Sequence, residues 1–270
     1  MNQGDKLEGL KERIREKQRL LVSYSGGVDS TLLALLARDA LGDGALAVIL
    51  DSETLPRSEL EQAAALAREM GLNFRIARHN ILPHGPFQDN TPDRCYICEK
   101  SAIALLKSIA AGEGISYIAD GLNQDDCRER RPGTAACDEE GVWHPFVEAG
   151  MGKDEIRAAA RELGLPVWNK PSSACLATRI PYGEPLTKKR LGMVEAAEDL
   201  LKSLGFGQLR VRAEGRGARI ELEEQEMSRA LKKNVEIVCR LKALGFDHVS
   251  LDLEGYRSGS MDEVLWTSRD

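Results

Sequence analysis

Apolar and polar positions follow two different rhythms along this chain, and the change of rhythm divides it. "RLLVSY" (19–24), "ALAVILD" (45–51), "LNFRIAR" (72–78) and "ISYIADG" (115–121) are short, largely apolar runs that predict buried strands. "TLLALLARDAL" (31–41), "RSELEQAAALAREMG" (57–71, closed by Gly71), "CEKSAIALLKSIAAGEG" (98–114) and "KDEIRAAARELGLP" (153–166) carry helical spacing. Strands alternating with helices imply an α/β fold, a parallel sheet with helices on both faces. Beyond Pro181 the pattern changes. "KKRLGMVEAAEDLLKSLG" (188–205) reads as an amphipathic helix. "QLRVRAEG" (208–215) and "ARIELEE" (218–224) then alternate: Leu209, Val211, Ile220 and Leu222 one way, Arg210, Arg212, Arg219 and Glu221 the other. From pattern alone the charged side is a solvent face. A helix over 226–243 and the strand "HVSLDLE" (248–254) complete a small α+β unit. The expected division is therefore 1–180 and 181–270.

Length and composition narrow the class. With 270 residues, the chain is long enough to bury a sizeable core. No run approaches the ~18 apolar residues of a membrane span. The charged start "MNQGDKLEGLKERIREKQ" lacks the apolar core of a signal peptide, so a cytoplasmic protein with no membrane partner is expected. A net charge of −6 advertises no surface for nucleic acid. Six cysteines stand at 95, 98, 127, 137, 175 and 239; in a reducing compartment, metal binding or chemistry suits clustered ones better than disulfides. Only Cys95 and Cys98 cluster. Cys127, Cys137 and Cys239 read as structural or incidental, and the four histidines (79, 84, 144, 248) show no metal-ligand spacing.

Chemistry enters with "VSYSGGVDST" (22–31). A strand, a Gly-Gly turn and a helix opening at Asp29/Ser30 gather free backbone N–H groups at one point, with hydroxyls from Ser25 and Ser30, which makes an anion site. The loop lacks G-x-x-x-x-G-K-[ST], with no lysine after it for a γ-phosphate, and it lacks the three-glycine dinucleotide fingerprint. Two hydroxyls, two glycines and a carboxylate suit a pyrophosphate with Mg²⁺. Ser25 to Ser30 resemble at every position the S-G-G-x-D-S signature of the PP-loop (ATP pyrophosphatase) group, whose members cleave ATP between the α- and β-phosphates and activate a substrate oxygen as an adenylate.

"PDRCYICEKS" (92–101) places C-x-x-C where a helix begins, a setting that favours thiolate. Alone it fits a zinc pair, a redox pair, a cluster pair or two incidental cysteines. A complete zinc site would want two more ligands than the spacing shows. Cys175 in "KPSSACLATRIPYG" (170–183) is followed by Arg179, a cation for a thiolate or an anionic substrate; a buried small hydrophobe is the plain alternative.

Taken in order, Ser25–Ser30, "GLNQDD" (121–126), "RPG" (131–133), "ACLATRIPYG" (174–183), "LRVR" (209–212), "ARIE" (218–221) and "GYRSGSM" (255–261) resemble the LarE family of ATP-dependent sulfur transferases over nearly the whole chain. The resemblance implies a Rossmann-like PP-loop domain of the adenine nucleotide alpha hydrolase type, a small α+β substrate and oligomerisation domain, and a homo-oligomer. It implies thiolation of pyridinium-3,5-biscarboxylic acid mononucleotide during nickel-pincer nucleotide synthesis, with ATP as co-substrate. Two sulfur sources occur in the family. Either one cysteine, matching Cys175, gives up its own sulfur, or three cysteines hold a [4Fe-4S] cluster with an exchangeable sulfide. Having Cys95 and Cys98 beside Cys175, this chain fits the cluster branch, since three thiolates leave one iron open; a sulfide source is then a further partner.

The resemblance also assigns residues. ATP contacts fall on Ser23, Ser25, Gly26, Gly27, Val28, Asp29, Ser30, Asp51, Ser52, Gly121 and Asp126, with Asp29 assisting Mg²⁺. Asp125 and Asp126 could support metal or ribose, or form a solvated turn. The anionic substrate falls to Arg179, Arg210 and Arg212, because guanidinium forks match carboxylate and phosphate; Glu198 and Glu221 lie where the family collects acidic residues for metal or phosphate-site contacts. Three rivals stay in view. A PP-loop tRNA thiolase would need a basic surface, an amidating enzyme would leave Cys95, Cys98 and Cys175 idle, and an ATP sensor would not turn over.

Overall fold

The computed structural model describes residues 3–128, 132–257 and 259–261. In chain order the elements are α1 (Gln3–Glu16), β1 (Leu20–Ser23), α2 (Val28–Leu41), β2 (Ala45–Ser52), α3 (Arg57–Glu69), β3 (Phe74–His79), α4 (Gly85–Gln88) and α5 (Arg94–Gly112). There follow β4 (Ile118–Ala119), α6 (Pro132–Glu139), α7 (Pro145–Glu148), α8 (Lys153–Glu162), α9 (Lys188–Ser203), β5 (Leu209–Glu214), β6 (Gly217–Leu222), α10 (Glu224–Lys232), α11 (Asn234–Ala243) and β7 (His248–Leu251). The chain forms two compact units, 1–81 with 95–173 and 82–94 with 174–270.

The first unit holds a parallel sheet in the order β3-β2-β1-β4. Successive strand residues point to opposite faces, and each face has its own core. Leu20 and Val22 of β1 join Leu10 and Ile14 of α1, Leu32, Leu33 and Leu36 of α2 and Ile156 of α8. Leu21 faces the other way, among Ile103, Leu106 and Ile109 of α5 and Ala136 of α6. Burial on both faces explains why these strands read as continuous apolar runs, and α2, buried from Ser30 to Ala37, explains its scarcity of polar positions. This is the expected PP-loop α/β fold. One strand is shorter than its pattern: β4 spans two residues, and the chain at Trp143 pairs alongside it in parallel to Ala119.

The second unit contains the three-stranded sheet β5-β6-β7, with β5–β6 antiparallel and β6–β7 parallel. The helix expected over 226–243 is two helices. Lys233 leaves helical geometry at φ −100°, ψ 13°, followed by Asn234 and Val235, both weak helix formers. The segment 82–94 groups with this unit because Asn90, in left-handed conformation at φ 55°, donates through Nδ2 to the carbonyls of Ile180, Pro181 and Glu184 at 3.1, 2.7 and 3.1 Å. Arg94 donates to Asn90 Oδ1 at 2.6 Å and lies 4.2 Å over the Tyr182 ring. These contacts join segments about ninety residues apart, which periodicity has no means of showing. Among the described residues no helix is long and apolar enough to cross a membrane.

Candidate functional site

At the carboxyl end of β1 the chain turns through Gly26, φ +73°, and enters α2 at Val28. The turn is locked internally: the Ser25 and Ser30 hydroxyls meet at 3.0 Å, and Ser30 Oγ accepts the Ser25 N–H at 3.2 Å and donates to Gly27 O at 3.3 Å. The first N–H groups of α2 have no acceptor within the helix, so they and the helix dipole address an anion here. A side chain at Gly26 would meet Ala63 Cβ at 2.7 Å, and one at Gly121 would meet the Ser30 amide nitrogen at 2.8 Å. Both glycines permit neighbouring chain segments to approach the turn closely.

The carboxylates cluster on the same sheet edge. Asp29 accepts from Asn123 Nδ2 at 3.3 Å and from Lys153 Nζ. Asn123 also donates to Asp126 Oδ2 at 2.6 Å, and its Oδ1 accepts the N–H groups of Asp125 and Asp126 at 3.0 and 3.3 Å. Asp125 in turn accepts the Lys153 N–H at 2.8 Å, so loop 121–126 is tied to the start of α8. Asp125 is exposed and Asp126 partly buried, and these bonds hold both in an ordered turn. The loop motif has no lysine of its own; the fold places one, Lys153, against its carboxylate from 124 residues away. No local signal marks it.

Beside this edge, Asp51 at the end of β2 accepts from Arg57 at 2.5 Å and Arg78 at 3.0 Å. Partial burial opposes its charge, yet these two guanidinium bonds hold its carboxyl below the usual value of 3.8. Ser52 is buried with its hydroxyl 3.1 Å from that of Thr54, and Ser23 closes β1.

The second unit gathers another charged group. Arg179 and Glu198 form a buried two-pronged pair at 2.8 and 3.0 Å, and Arg212 and Glu221 form another at 2.8 and 2.8 Å. The alternation of β5 and β6 thus does not mark a solvent face: Arg212 is 5 % exposed and Glu221 1 %. Arg219 adds a second cation to Glu221 at 3.2 Å, which offsets its position opposite Arg212 in the ladder. Arg210 differs from its neighbours. Among the described residues it has no carboxylate hydrogen bond; it donates to Leu209 O at 2.7 Å and lies 5.1 Å over Tyr256. Burial, reinforced by the charge of Arg179, pushes its pKa below the usual arginine value. Arg179 also donates to the carbonyls of Ala174 and Cys175 at 2.7 and 3.0 Å, which fixes exposed Cys175 at the head of the 176–179 turn.

Cys95 and Cys98 lie on the first turn of α5, one turn apart, the former exposed and the latter partly so. Among the described residues no three His, Cys, Asp or Glu side chains converge as a metal-binding group. Arg131 of the "RPG" motif and Ser258 of "GYRSGSM" lie outside the described residues.

A parallel sheet, a Ser-Gly-Gly turn into a buried helix and a carboxylate-rich edge define a PP-loop nucleotide-using protein. Residues 5–84 match the NAD synthase family profile. Across 253 residues, 93% of this chain and 92% of the relative, the sequence is 40% identical to the pyridinium-3,5-bisthiocarboxylic acid mononucleotide synthase of Lactiplantibacillus plantarum. It is also 40% identical over 262 residues to an uncharacterised protein of Synechocystis sp., covering 96% of this chain and 98% of that one. A third relative, an uncharacterised protein of Methanocaldococcus jannaschii, is 30% identical over 256 residues, 94% of this chain and 98% of its own. The chain belongs to the LarE family of ATP-dependent sulfur transferases.

Proposed function

We propose that this enzyme adenylates a carboxylate of pyridinium-3,5-biscarboxylic acid mononucleotide and converts it to a thiocarboxylate, a step in building a nickel-pincer nucleotide. The observation that carries the reading is the 40% identity, over 92% of its length, to the relative named for the bisthiocarboxylic product. The site chemistry agrees. Phosphates of ATP rest on the Ser25–Ser30 turn, and Lys153 supplies the cation that the loop itself lacks. Asp29 is the residue to hold Mg²⁺, a hard ion suited to a carboxylate oxygen. The substrate carboxylate attacks the α-phosphorus; the bond to the bridging oxygen breaks, pyrophosphate leaves, and an acyl-adenylate remains. A sulfur nucleophile then adds to the acyl carbon and AMP departs with the original carboxylate oxygen. The protein's contribution is positioning and relief of developing charge. Arg210 is the cation available to the substrate's phosphate or second carboxylate, while Arg179 and Arg212, fixed by Glu198 and Glu221, form the rigid ground beneath it.

For sulfur delivery, Cys95, Cys98 and Cys175 are the residues to hold a [4Fe-4S] cluster. Soft thiolates are the right donors, and Cys95 and Cys98 have the spacing of a shared helical turn. Such a cluster, when bound, supplies an exchangeable sulfide at its open iron. A second reading, sacrificial donation by Cys175, is favoured by that thiol's exposure and its fixed position beside Arg179. Anaerobic protein supplied with Mg·ATP, sulfide and the mononucleotide should release AMP and pyrophosphate in equal amounts, only with the mononucleotide present; ADP and phosphate would refute the proposal. About four iron per chain with no change of protein mass supports the cluster. Iron-free protein that loses H₂S on turnover makes Cys175 the donor.

A further inference from the structure

We infer that His144 is a positioning residue for the nucleotide site: its positive charge holds Asp120 and thereby fixes loop 121–126, so ATP binding weakens as that charge is lost. The inference rests on the ATP reading of the loop given above. His144 follows Trp143, which is docked beside β4 by two backbone bonds, Trp143 N–H to Ile118 O at 2.8 Å and Asp120 N–H to Trp143 O at 3.2 Å. That docking puts the imidazole against the end of β4. Nδ1 is 2.7 Å from Asp120 Oδ1, and buried Nε2 faces Asp138 Oδ1 on α6 at 3.4 Å without hydrogen-bond geometry. Both ring nitrogens therefore face carboxylates. A neutral ring would turn a lone pair on one of them, which favours the doubly protonated ring on geometry alone.

The same Asp120 oxygen accepts the Leu122 N–H at 3.0 Å, at the entrance to loop 121–126. That loop carries Gly121, packed on the start of α2, and Asn123, which bonds Asp29. Loss of the imidazolium charge weakens the His144 bond to Asp120, one residue from these contacts. Other groups share the surroundings: Glu99 of α5 and Cys137 of α6, bonded to each other at 3.5 Å, and Cys127 near Asp126, Asp138 and Asp120. Burial pushes Glu99, Cys127 and Cys137 all upward. Burial opposes charge on His144 as well, yet the bond and charge of Asp120, joined by Asp138, hold it above its usual 6.5. The ring is thus charged below that value and loses its proton as pH rises through the higher folded one.

The test is calorimetric titration of the whole protein with Mg·ATP from about pH 6 to 9, with no sulfur substrate needed. The unmodified protein should lose affinity roughly fivefold across this range, the difference between a charge-assisted and a neutral hydrogen bond. His144→Gln, whose amide can still bond Asp120 without charge, should match the high-pH affinity throughout. Asp138→Asn should move the fall to lower pH, and it decides the matter if His144→Gln does not fold. A constant ratio between the unmodified protein and His144→Gln at every pH, or a midpoint unmoved in Asp138→Asn, overturns the inference and leaves the ATP reading standing. Failure of the unmodified protein to bind Mg·ATP overturns both.

Discussion

Gly26 and Gly27 are equal members of the loop motif, but their surroundings make them unequal, and that difference can be measured. At Gly26 the backbone is left-handed, φ +73°, and an added Cβ would lie 2.7 Å from Ala63 Cβ and 2.9 Å from Ala63 Cα. The second contact is with backbone of α3, which has no rotamer to change. At Gly27 the backbone is extended, φ −78° and ψ 165°, and the nearest contact would be Ser25 Oγ at 3.4 Å. Left-handed strain of about 1 kcal/mol plus overpacking of roughly 1–3 kcal/mol gives Gly26→Ala a loss of about 2–4 kcal/mol. Gly27→Ala, with neither term, should lose less than about 1 kcal/mol. Urea unfolding of both variants separates these values, provided the slope m is unchanged so that the midpoint reports stability. Mg·ATP titration adds the functional half: on the proposed ATP site a methyl at Gly27 would stand where phosphate approaches, so that variant should fold well and bind poorly. Equal stabilities for the two variants would refute the reasoning.

Three other expectations follow from the same contacts. Lys153→Met should weaken Mg·ATP binding roughly ten- to a hundredfold, as expected for removal of a charged partner, with little change in the unfolding midpoint; unchanged affinity would remove Lys153 from the site. Glu198→Gln leaves Arg179 charged and buried without its partner, which should cost about 3–5 kcal/mol in urea unfolding, whereas a loss under about 1 kcal/mol would mean the pair is solvated in solution. Asp51, held below its usual 3.8 by Arg57 and Arg78, contributes stability above that value that is lost as pH falls through the lower folded one. Asp51→Asn should therefore lose less stability than the unmodified protein on acidification from about pH 4 to 2, and parallel acid profiles would contradict the assignment.

What the chain's pattern revealed depended on how local each feature is. The sheet was legible because burial on both faces leaves uninterrupted apolar runs, and the phosphate loop because six adjacent residues carry it. The second unit's strands were legible in their alternation but not in its meaning. A charged face packed into reciprocal ion pairs, as at Arg212 and Glu221, has the same period as one facing water. Lys153, Asn90 and His144 carry no local signal, because each meets a partner distant in sequence and none stands in a motif of its own. The cysteines mark the opposite limit: their identities suggest a cluster, while among the described residues no metal-binding group of three side chains is formed.

The central claim is that a substrate carboxylate, and not water, attacks the α-phosphorus of ATP. Labelling the mononucleotide's carboxylates with ¹⁸O and collecting the AMP from a single turnover tests it most directly. One heavy oxygen is expected in the phosphate of AMP, formed together with a product carrying sulfur in its place. Unlabelled AMP beside a thiolated product would contradict it.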